Sequence, residues 1–415
     1  MIALVLSLAG VGSIQAQQPP AQSNVTNADR VANWKEDLHF FAATLRGTPI
    51  PGEKNLPGQK DLAKLYPHLD ADLAALEADL PNLRNGVIYW RLARILASAH
   101  VAHNSIFPTA PQTLPVVVQW LDEGPVVTAA SAEFKAAIGA RLLKVGDSSP
   151  AVFLDSVSPY LSYETEGWRR ILAGVAMRGR VLLDLLNFVQ DDKVSLTIEG
   201  LNGPMVLAVP FTPAATPLMT LRENLGLPVS LADSHPEERY YWRQLLPESQ
   251  TLYVQYRQCA DDPKLKVGGF AAQTLAEIDT TQPRRVIIDL RFNQGGHSAL
   301  LKPLTEGLAA RRKIIGVPLV LIGPDTFSSG VLAARDLREK AKARLLGTPT
   351  GGLQGGYGEA PSRKLPHFPL GMQWTISNFP LPREPVSPDI KVVTTAGDLR
   401  AGRDPVLDAA IAVPR

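Results

Sequence analysis

Two segments that carry glycine or serine follow apolar runs typical of buried strands. The first, Arg291-Phe-Asn-Gln-Gly-Gly-His-Ser298, comes directly after Val286-Ile-Ile-Asp-Leu290, and the second, residues 323–330, contains Ser328 and Ser329. Paired glycines let backbone N–H groups approach a ligand closely, as an oxyanion site requires. A serine that begins a helix lies where free N–H groups favour a developing anion. Taken alone, each segment also has a plainer interpretation, as a tight turn and as a helix N-cap.

The elements that would position these segments alternate between strands and helices from residue 237 to residue 415. Such alternation predicts an α/β domain whose sheet is covered on both faces, with the chemistry gathered where the strands end. The predicted strands are residues 252–256, 286–290, 317–322 and 345–347, and the predicted helices are residues 270–278, 300–308 and 331–343.

The chain upstream of residue 237 divides into three parts. Residues 27–104 carry apolar side chains at helical spacing and predict an N-terminal helical region. Residues 105–210 contain strand-like runs separated by turn signals, which predict a small β module with one or two helices. Residues 211–236 hold few strong patterns and predict a connection.

The composition excludes several classes of protein. A length of 415 residues favours two or three domains, and a net charge of +2 is too even for a general binder of nucleic acid or acidic membranes. Cys259 is the single cysteine, so an intrachain disulfide and a zinc site built on cysteines are both excluded. No phosphate-binding loop, dinucleotide fingerprint or His-Glu-x-x-His motif is present.

The first residues resemble a secretory leader. Residues 1–12 are nearly all apolar but too few to span a bilayer, and Ala16 offers a cleavage point, although the usual positive charges before the apolar run are missing. We therefore expect a signal peptide over residues 1–16 and an exported protein, periplasmic or secreted. No other stretch reaches 18 apolar residues, so no membrane span is expected.

Three motifs in order resemble the tail-specific, or carboxy-terminal processing, serine peptidases, a group that includes the tricorn core protease and retinoid-binding relatives. They are Val286-Ile-Ile-Asp-Leu-Arg-Phe-Asn-Gln-Gly-Gly296, Thr326-Phe-Ser-Ser329 and Leu346-Gly-Thr-Pro-Thr-Gly-Gly352. The resemblance implies an α/β fold with a crotonase-like (ClpP/crotonase) spiral core, preceded by the helical region and by a degenerate PDZ-like β module. It also implies amide hydrolysis through an acyl-enzyme, without cofactor or metal.

The resemblance assigns the nucleophile to Ser328, with Ser329 as the competitor. It implies an oxyanion hole formed by the N–H of Ser329 together with that of Gly295 or Gly296. In the tail-specific branch the base is a lysine, but the matching position here is Leu353, and no lysine lies between Lys342 and Lys364. The Ser–Lys dyad is therefore absent.

The tricorn-like branch instead supplies a histidine far upstream, at the end of a helix. Here Ala99-His-Val-Ala-His-Asn-Ser105 lies at the corresponding place, and His103 matches best, with Val101 where an acidic residue is usual. A lone histidine there would ordinarily interact with the helix dipole. Because the core lacks its lysine, His103 is the favoured base; His297 is the alternative and His100 a weaker one.

A carboxylate that orients the imidazole would complete a triad. Tricorn-like enzymes supply a glutamate shortly before a Pro-Asp pair, which implies Glu384, with Glu359 as the alternative. Either side chain could be a surface charge, the usual state of a glutamate. We expect Asp289 to have a structural role instead, bonding the backbone or Arg291.

Two functions from different classes follow. In the first, the protein is an exported serine endopeptidase that takes a polypeptide in extended form, with oligomerisation left open. In the second, proteolysis is lost and the site binds a peptide or a hydrophobic ligand, as in the retinoid-binding relatives. The departures at Val101 and Leu353 favour binding, whereas Ser328, the paired glycines and His103 favour the enzyme.

Overall fold

The computed structural model describes residues 26–48, 64–107, 111–200, 203–368 and 371–414, and the fold is a mixed α/β arrangement of helices and several sheets. The expected leader, residues 1–16, lies outside the described residues. No helix in the described ranges is long and apolar enough to cross a membrane.

Three helices form the N-terminal region, as the periodicity predicted. The first begins with a capping box, in which Thr26 and Asp29 each accept from the other's backbone N–H, and it ends at Gly47 in the left-handed conformation. Their apolar faces pack together around Trp34, Phe41 and Leu92. These helices are α1 (Asn27–Arg46), α2 (Leu69–Asp79) and α3 (Asn85–Ala97).

The N-terminal helices also pack against the distant C-terminal segment. Strand β1 (Ser105–Phe107) pairs with β18 (Gly371–Gln373), so residues 105–107 lie outside the sheet of the β module to which the sequence assigns them. Trp374 belongs to the same apolar cluster as the three helices, and the Asp37 carboxylate accepts the backbone N–H of His367 at 3.0 Å. The loop that carries His103 is thus held between the first and last parts of the chain.

The β module is a sheet of seven strands with its own apolar core. Its main strands are those predicted from the apolar runs, and three helices, rather than one or two, cover it. The helix α5 begins at a Thr165 N-cap and packs along β3. The strands of this sheet are β3 (Val116–Leu121), β4 (Gly124–Ala130), β5 (Arg141–Val145), β6 (Val189–Gln190), β7 (Lys193–Gly200), β8 (Gly203–Pro210) and β10 (Met219–Thr220). The helices are α4 (Pro150–Val157), α5 (Glu166–Ala176) and α6 (Arg180–Leu185), and a separate pair of strands is β2 (Gln112–Thr113) with β9 (Thr212–Pro213). The predicted connection, residues 211–236, contains β9, β10 and the short helix α7 (Leu221–Asn224).

The C-terminal part contains a six-stranded sheet, and all four strands predicted there are present. It runs β11-β12-β13-β14-β15-β20, with β11 antiparallel and the other five strands parallel. Its strands are β11 (Tyr241–Leu246), β12 (Thr251–Tyr256), β13 (Arg285–Asp289), β14 (Leu319–Ile322), β15 (Arg344–Gly347) and β20 (Ile390–Lys391).

Helices cover both faces of this sheet, because successive side chains of a strand point to opposite sides. Val286 and Ile288 of β13 pack with α8, α9 and α11, whereas Ile287 packs with α13. The helices are α8 (Val267–Thr281), α9 (Lys302–Ala310), α10 (Arg312–Ile315), α11 (Ser329–Lys340), α12 (Ala396–Arg400) and α13 (Pro405–Ala412). The remaining strands are β16 (Gly356–Gly358), which pairs with β19 (Ser377–Phe379), and β17 (Ser362–Lys364), which pairs with β18.

A buried ion pair fixes α13 to the carboxyl edge of the sheet. The Arg291 guanidinium donates to Asp289 at 2.6 Å and to Asp404, at the start of α13, at 2.7 Å. Asp289 also accepts the backbone N–H of Arg291 at 3.0 Å, as the sequence predicted for a structural carboxylate. These charges hold the pKa of Arg291 well above its usual range and that of Asp404 below it, although burial opposes both shifts.

Candidate active site

Ser328 lies at a sharp turn between β14 and α11. Its backbone has φ 51° and ψ −125°, a conformation that costs a non-glycine residue on the order of 1–3 kcal/mol. Thr326 stabilises the turn, because its hydroxyl donates to the carbonyl of Leu290 at 2.9 Å and accepts from Gly323 N–H at 3.0 Å. Gly330 is required two residues later, since a Cβ there would lie 2.5 Å from the carbonyl oxygen of Asn293. The sequence around Ser328 thus holds its backbone in a strained conformation and leaves its side chain half-buried.

The structure brings His103 to Ser328. The distance between His103 Nε2 and Ser328 Oγ is 3.0 Å, although the residues are 225 positions apart. The His103 ring lies 4.7 Å from the ring of Phe327, which stacks in turn on Trp168 at 4.3 Å. A hydroxyl hydrogen-bonded to an imidazole is the arrangement that general-base activation of a nucleophile requires.

The imidazole of His103 is a neutral base. Burial lowers its pKa from 6.5 to about 4, and the backbone of Tyr357 opposes that shift only in part. Nδ1 is buried and makes no hydrogen bond of regular geometry with a described residue, although the backbone of Tyr357 interacts with the imidazole. At neutral pH, Nε2 is therefore free to accept the Ser328 proton, and no carboxylate in the described ranges orients the ring through Nδ1.

The loop that carries His103 is anchored on both sides of the histidine, through the side chain of Asn104 and through the backbone N–H of Ala102. Asn104 is fully buried, donates to the Tyr66 hydroxyl at 2.7 Å and accepts the Thr375 N–H at 2.7 Å. On the other side, the N–H of Ala102 donates to the Glu164 carboxylate at 3.2 Å. The sequence reasoning missed Tyr66, Thr375 and Glu164, since none lies in or near a recognisable motif.

The glycine segment packs directly against Ser328. A Cβ at Gly295 would lie 2.7 Å from the Cβ of Ser328, so only glycine fits. The N–H of Gly295 donates to the side chain of Asn293 at 2.9 Å and is therefore already engaged in this structure. The N–H groups of Gly296 and Ser329 make no hydrogen bond with any residue that the structure describes.

The Ser329 hydroxyl points away from the histidine. It donates to the carbonyl of Gly296 at 2.6 Å, so the structure brings Ser328, and not Ser329, to His103. The backbone of Cys259 forms hydrogen bonds on both sides of Gly296. Its N–H donates to the carbonyl of Gly295, and its carbonyl accepts from the N–H of His297. Its thiol donates to Asn293 at 3.4 Å, and burial raises the pKa of Cys259 to about 12.

The other candidate residues lie apart from the Ser–His pair. His297 is exposed, caps a short helical turn through Ala299 N–H and does not contact Ser328. His100 is exposed, and the Glu359 carboxylate accepts from the Ser377 hydroxyl. The Glu384 carboxylate is exposed and makes no hydrogen bond or ion pair with a described residue. The structure therefore brings neither predicted carboxylate to His103.

Leu353, at the position of the family lysine, forms an isolated bridge with Pro385. Within the described ranges, no group of three or more histidine, cysteine or acidic side chains is placed to hold a metal ion. The hydrogen bond between the Ser328 hydroxyl and the His103 imidazole makes nucleophilic attack by the serine oxygen, with the neutral imidazole as the base, chemically available here.

The fold is similar to that of solved peptidase structures. Mature CPAF complexed with lactacystin matches with a TM-score of 0.61 at 13% identity, covering 91% of this chain and 97% of that chain. A crystal structure of a CPAF mutant matches with a TM-score of 0.60 at 15% identity, covering 89% of this chain and 94% of that chain. The photosystem II D1 C-terminal processing protease gives 0.38 at 12% identity, covering 88% and 93%.

The two CPAF matches confirm, at the level of the fold, the resemblance that the motifs predicted. No protein-family model matches this sequence. No curated protein matches it either.

Proposed function

We propose that this protein is a serine endopeptidase that hydrolyses peptide bonds through an acyl-enzyme. The observation that carries the proposal is the 3.0 Å hydrogen bond between His103 Nε2 and the hydroxyl of Ser328, which is held in a strained turn. A positioned general base contributes on the order of a hundred- to ten-thousand-fold to rate, and strained nucleophiles are found where they serve a mechanism.

In the proposed mechanism, His103 takes the proton of Ser328 as the oxygen attacks the substrate carbonyl. The N–H groups of Gly296 and Ser329 then hold the tetrahedral oxyanion, because they are the free donors beside the serine. His103 then gives its proton to the leaving amine. After the amine departs, the acyl group remains bonded to the oxygen of Ser328. A water activated by the same imidazole releases the acyl group.

We further infer that the six-stranded sheet with its helices is the crotonase-like core and that the seven-stranded sheet is the PDZ-like module. Five parallel strands carrying the site at their carboxyl edge support the first assignment, and the small helix-covered antiparallel sheet supports the second. The substrate would be a polypeptide in extended form. Export remains our proposal, based on the apolar leader, residues 1–16, alone.

One observation favours a second function, a silent relative that binds a peptide or a hydrophobic ligand. His103 Nδ1 has no carboxylate partner among the described residues, and the Glu384 side chain is exposed. A triad without its third member retains part of its activity, because the serine, the base and the oxyanion donors still act. We therefore favour the peptidase.

Active-site labelling with a fluorophosphonate probe, followed by peptide mass mapping, tests the proposal. We expect label on Ser328 in the wild type and in Ser329→Ala, whose lost hydroxyl bonds only the Gly296 carbonyl. The label should disappear in Ser328→Ala and in His103→Ala. A folded wild type that takes no label would favour the binding function, whereas label on Ser329, or label that survives His103→Ala, would overturn the site assignment.

A further inference from the structure

The segment before α5, together with the first turn of that helix, lies beneath the Ser–His pair. The Thr165 hydroxyl donates to the carbonyl of Gly351 at 2.6 Å, and Trp168 stacks on Phe327, the residue before the nucleophile. The contact is close, since a Cβ at Gly167 would lie 3.2 Å from the Pro324 side chain. This segment of the β module therefore packs against the residues that precede Ser328 and against the Gly351 loop.

Glu164 is the buried carboxylate of this segment. Only 7% of its side chain is exposed, and its two carboxylate oxygens accept from different partners, Ala102 N–H at 3.2 Å and Arg383 at 3.3 Å. Burial raises the pKa of Glu164, while the Ala102 N–H and the Arg383 charge oppose that shift. A buried carboxylate is costly unless such partners satisfy it, so its place here is tightly determined.

The Ala102 contact matters because His103 is the next residue. In a complete triad, a carboxylate on Nδ1 holds the imidazole in its orientation. Here no carboxylate in the described parts of the chain reaches Nδ1, so the ring position depends on the backbone that carries it, on the packing of Phe327 and on the nearby backbone of Tyr357. Asn104 fixes that backbone on one side of His103, and Glu164 fixes it on the other.

We infer that Glu164 is a positioning residue for His103, acting through the backbone N–H of Ala102 rather than through the imidazole. This inference rests on the proposed function. The same carboxylate holds Arg383, so it joins the His103 loop to the segment that contains Glu384. Misplacing a catalytic group by about 1 Å can cost on the order of a hundredfold in rate.

Three variants test the assignment by the second-order rate constant of fluorophosphonate labelling at Ser328. We expect Glu164→Ala to lower it at least about tenfold, because the Ala102 N–H loses its acceptor. Glu164→Gln should stay within about threefold of the wild type, since the amide oxygen can still accept from that N–H. Glu166→Ala is the matched control and should label normally, because its carboxylate is exposed and bonds only arginines of its own helix.

A second measurement does not depend on activity. The NMR titration of His103 in ¹⁵N-histidine-labelled protein should show its pKa moving from about 4 towards 6.5 in Glu164→Ala, because a loosened loop admits water, and staying in place in Glu164→Gln. Equal labelling rates and equal His103 titrations in Glu164→Ala and the wild type would overturn the inference, as would a Glu164→Gln variant as impaired as Glu164→Ala. An unlabelled wild type would refute the proposed function, and the titration alone would then decide whether Glu164 positions His103.

Discussion

The protonation of His103 gives the most demanding prediction. Its pKa of about 4 in the folded protein predicts that the imidazole is still about nine-tenths neutral at pH 5, whereas a pKa of 6.5 would leave only about one-thirtieth neutral. A general base acts in its neutral form. The two cases therefore differ by about thirtyfold in labelling rate at pH 5.

The assay is the labelling rate constant of Ser328 between pH 4 and pH 8, each value divided by that at pH 7.5. We expect a flat profile down to about pH 5 and a fall only as the pH approaches 4. The labelling of a free serine in a small peptide, measured at the same pH values, corrects for the chemistry of the probe.

The same shift affects stability, with a sign that can be checked. Between pH 6.5 and pH 4 the unfolded chain holds a proton on His103 that the folded chain does not, so stability falls as the pH falls through this window. The change in the His103 pKa, about 2.5 units, corresponds to roughly 3 kcal/mol of unfolding free energy. Because glutamine does not titrate, His103→Gln should not show this loss. A labelling profile with a midpoint near 6.5, or equal acid sensitivity of the wild type and His103→Gln, would refute the burial argument and indicate a solvated ring or one paired with a carboxylate.

Two further substitutions have expected outcomes. Gly295→Ala places a Cβ 2.7 Å from the Cβ of Ser328, at a backbone φ of 107°, and should reduce labelling at least about a hundredfold. A Cβ at Gly268 would lie in open space, so Gly268→Ala should label normally. Equal labelling of the two variants would contradict the packing argument. Asp404→Asn removes one of two carboxylates from Arg291 and should cost about 1–3 kcal/mol in unfolding free energy, measured by thermal or urea denaturation. Asp408→Asn, an exposed carboxylate of the same helix, should stay within about 0.5 kcal/mol, and similar losses in both variants would show that the ion pair contributes nothing.

The strands and helices could be predicted because their signals are local, whereas His103 was matched to Ser328, 225 residues away, only through the family resemblance. Apolar runs of strand length separated by helical periodicity specify the sheet, and the motif around Ser328 fixes a turn whose geometry depends on adjacent residues. The oxyanion donor could not be chosen from the sequence. Two neighbouring N–H groups look equivalent until the Asn293 side chain is seen to occupy that of Gly295.

The carboxylates were harder to predict because their positions depend on distant parts of the chain. The position of Glu384 depends on the path of the chain before it, whose described residues, 353–368 and 371–385, include short strands. Sequence spacing does not determine where such a segment places one side chain. Glu164 contacts Ala102 across 62 residues, in a stretch with no motif to mark it. Contacts between separate parts of the fold leave no periodic signal in the sequence.

The hydrogen bonds of Cys259 make the reactivity of its thiol a measure of local opening in the glycine segment. Its backbone is joined to both neighbours of Gly296, the oxyanion donor that we propose, and its thiol, the only one in the chain, is buried with a pKa of about 12. Attack on a disulfide reagent requires an accessible thiolate, so this thiol reacts only in molecules whose glycine segment has opened. The rate of its modification by a soluble disulfide reagent therefore measures how often the oxyanion site comes apart, in the unaltered protein and without any attached label.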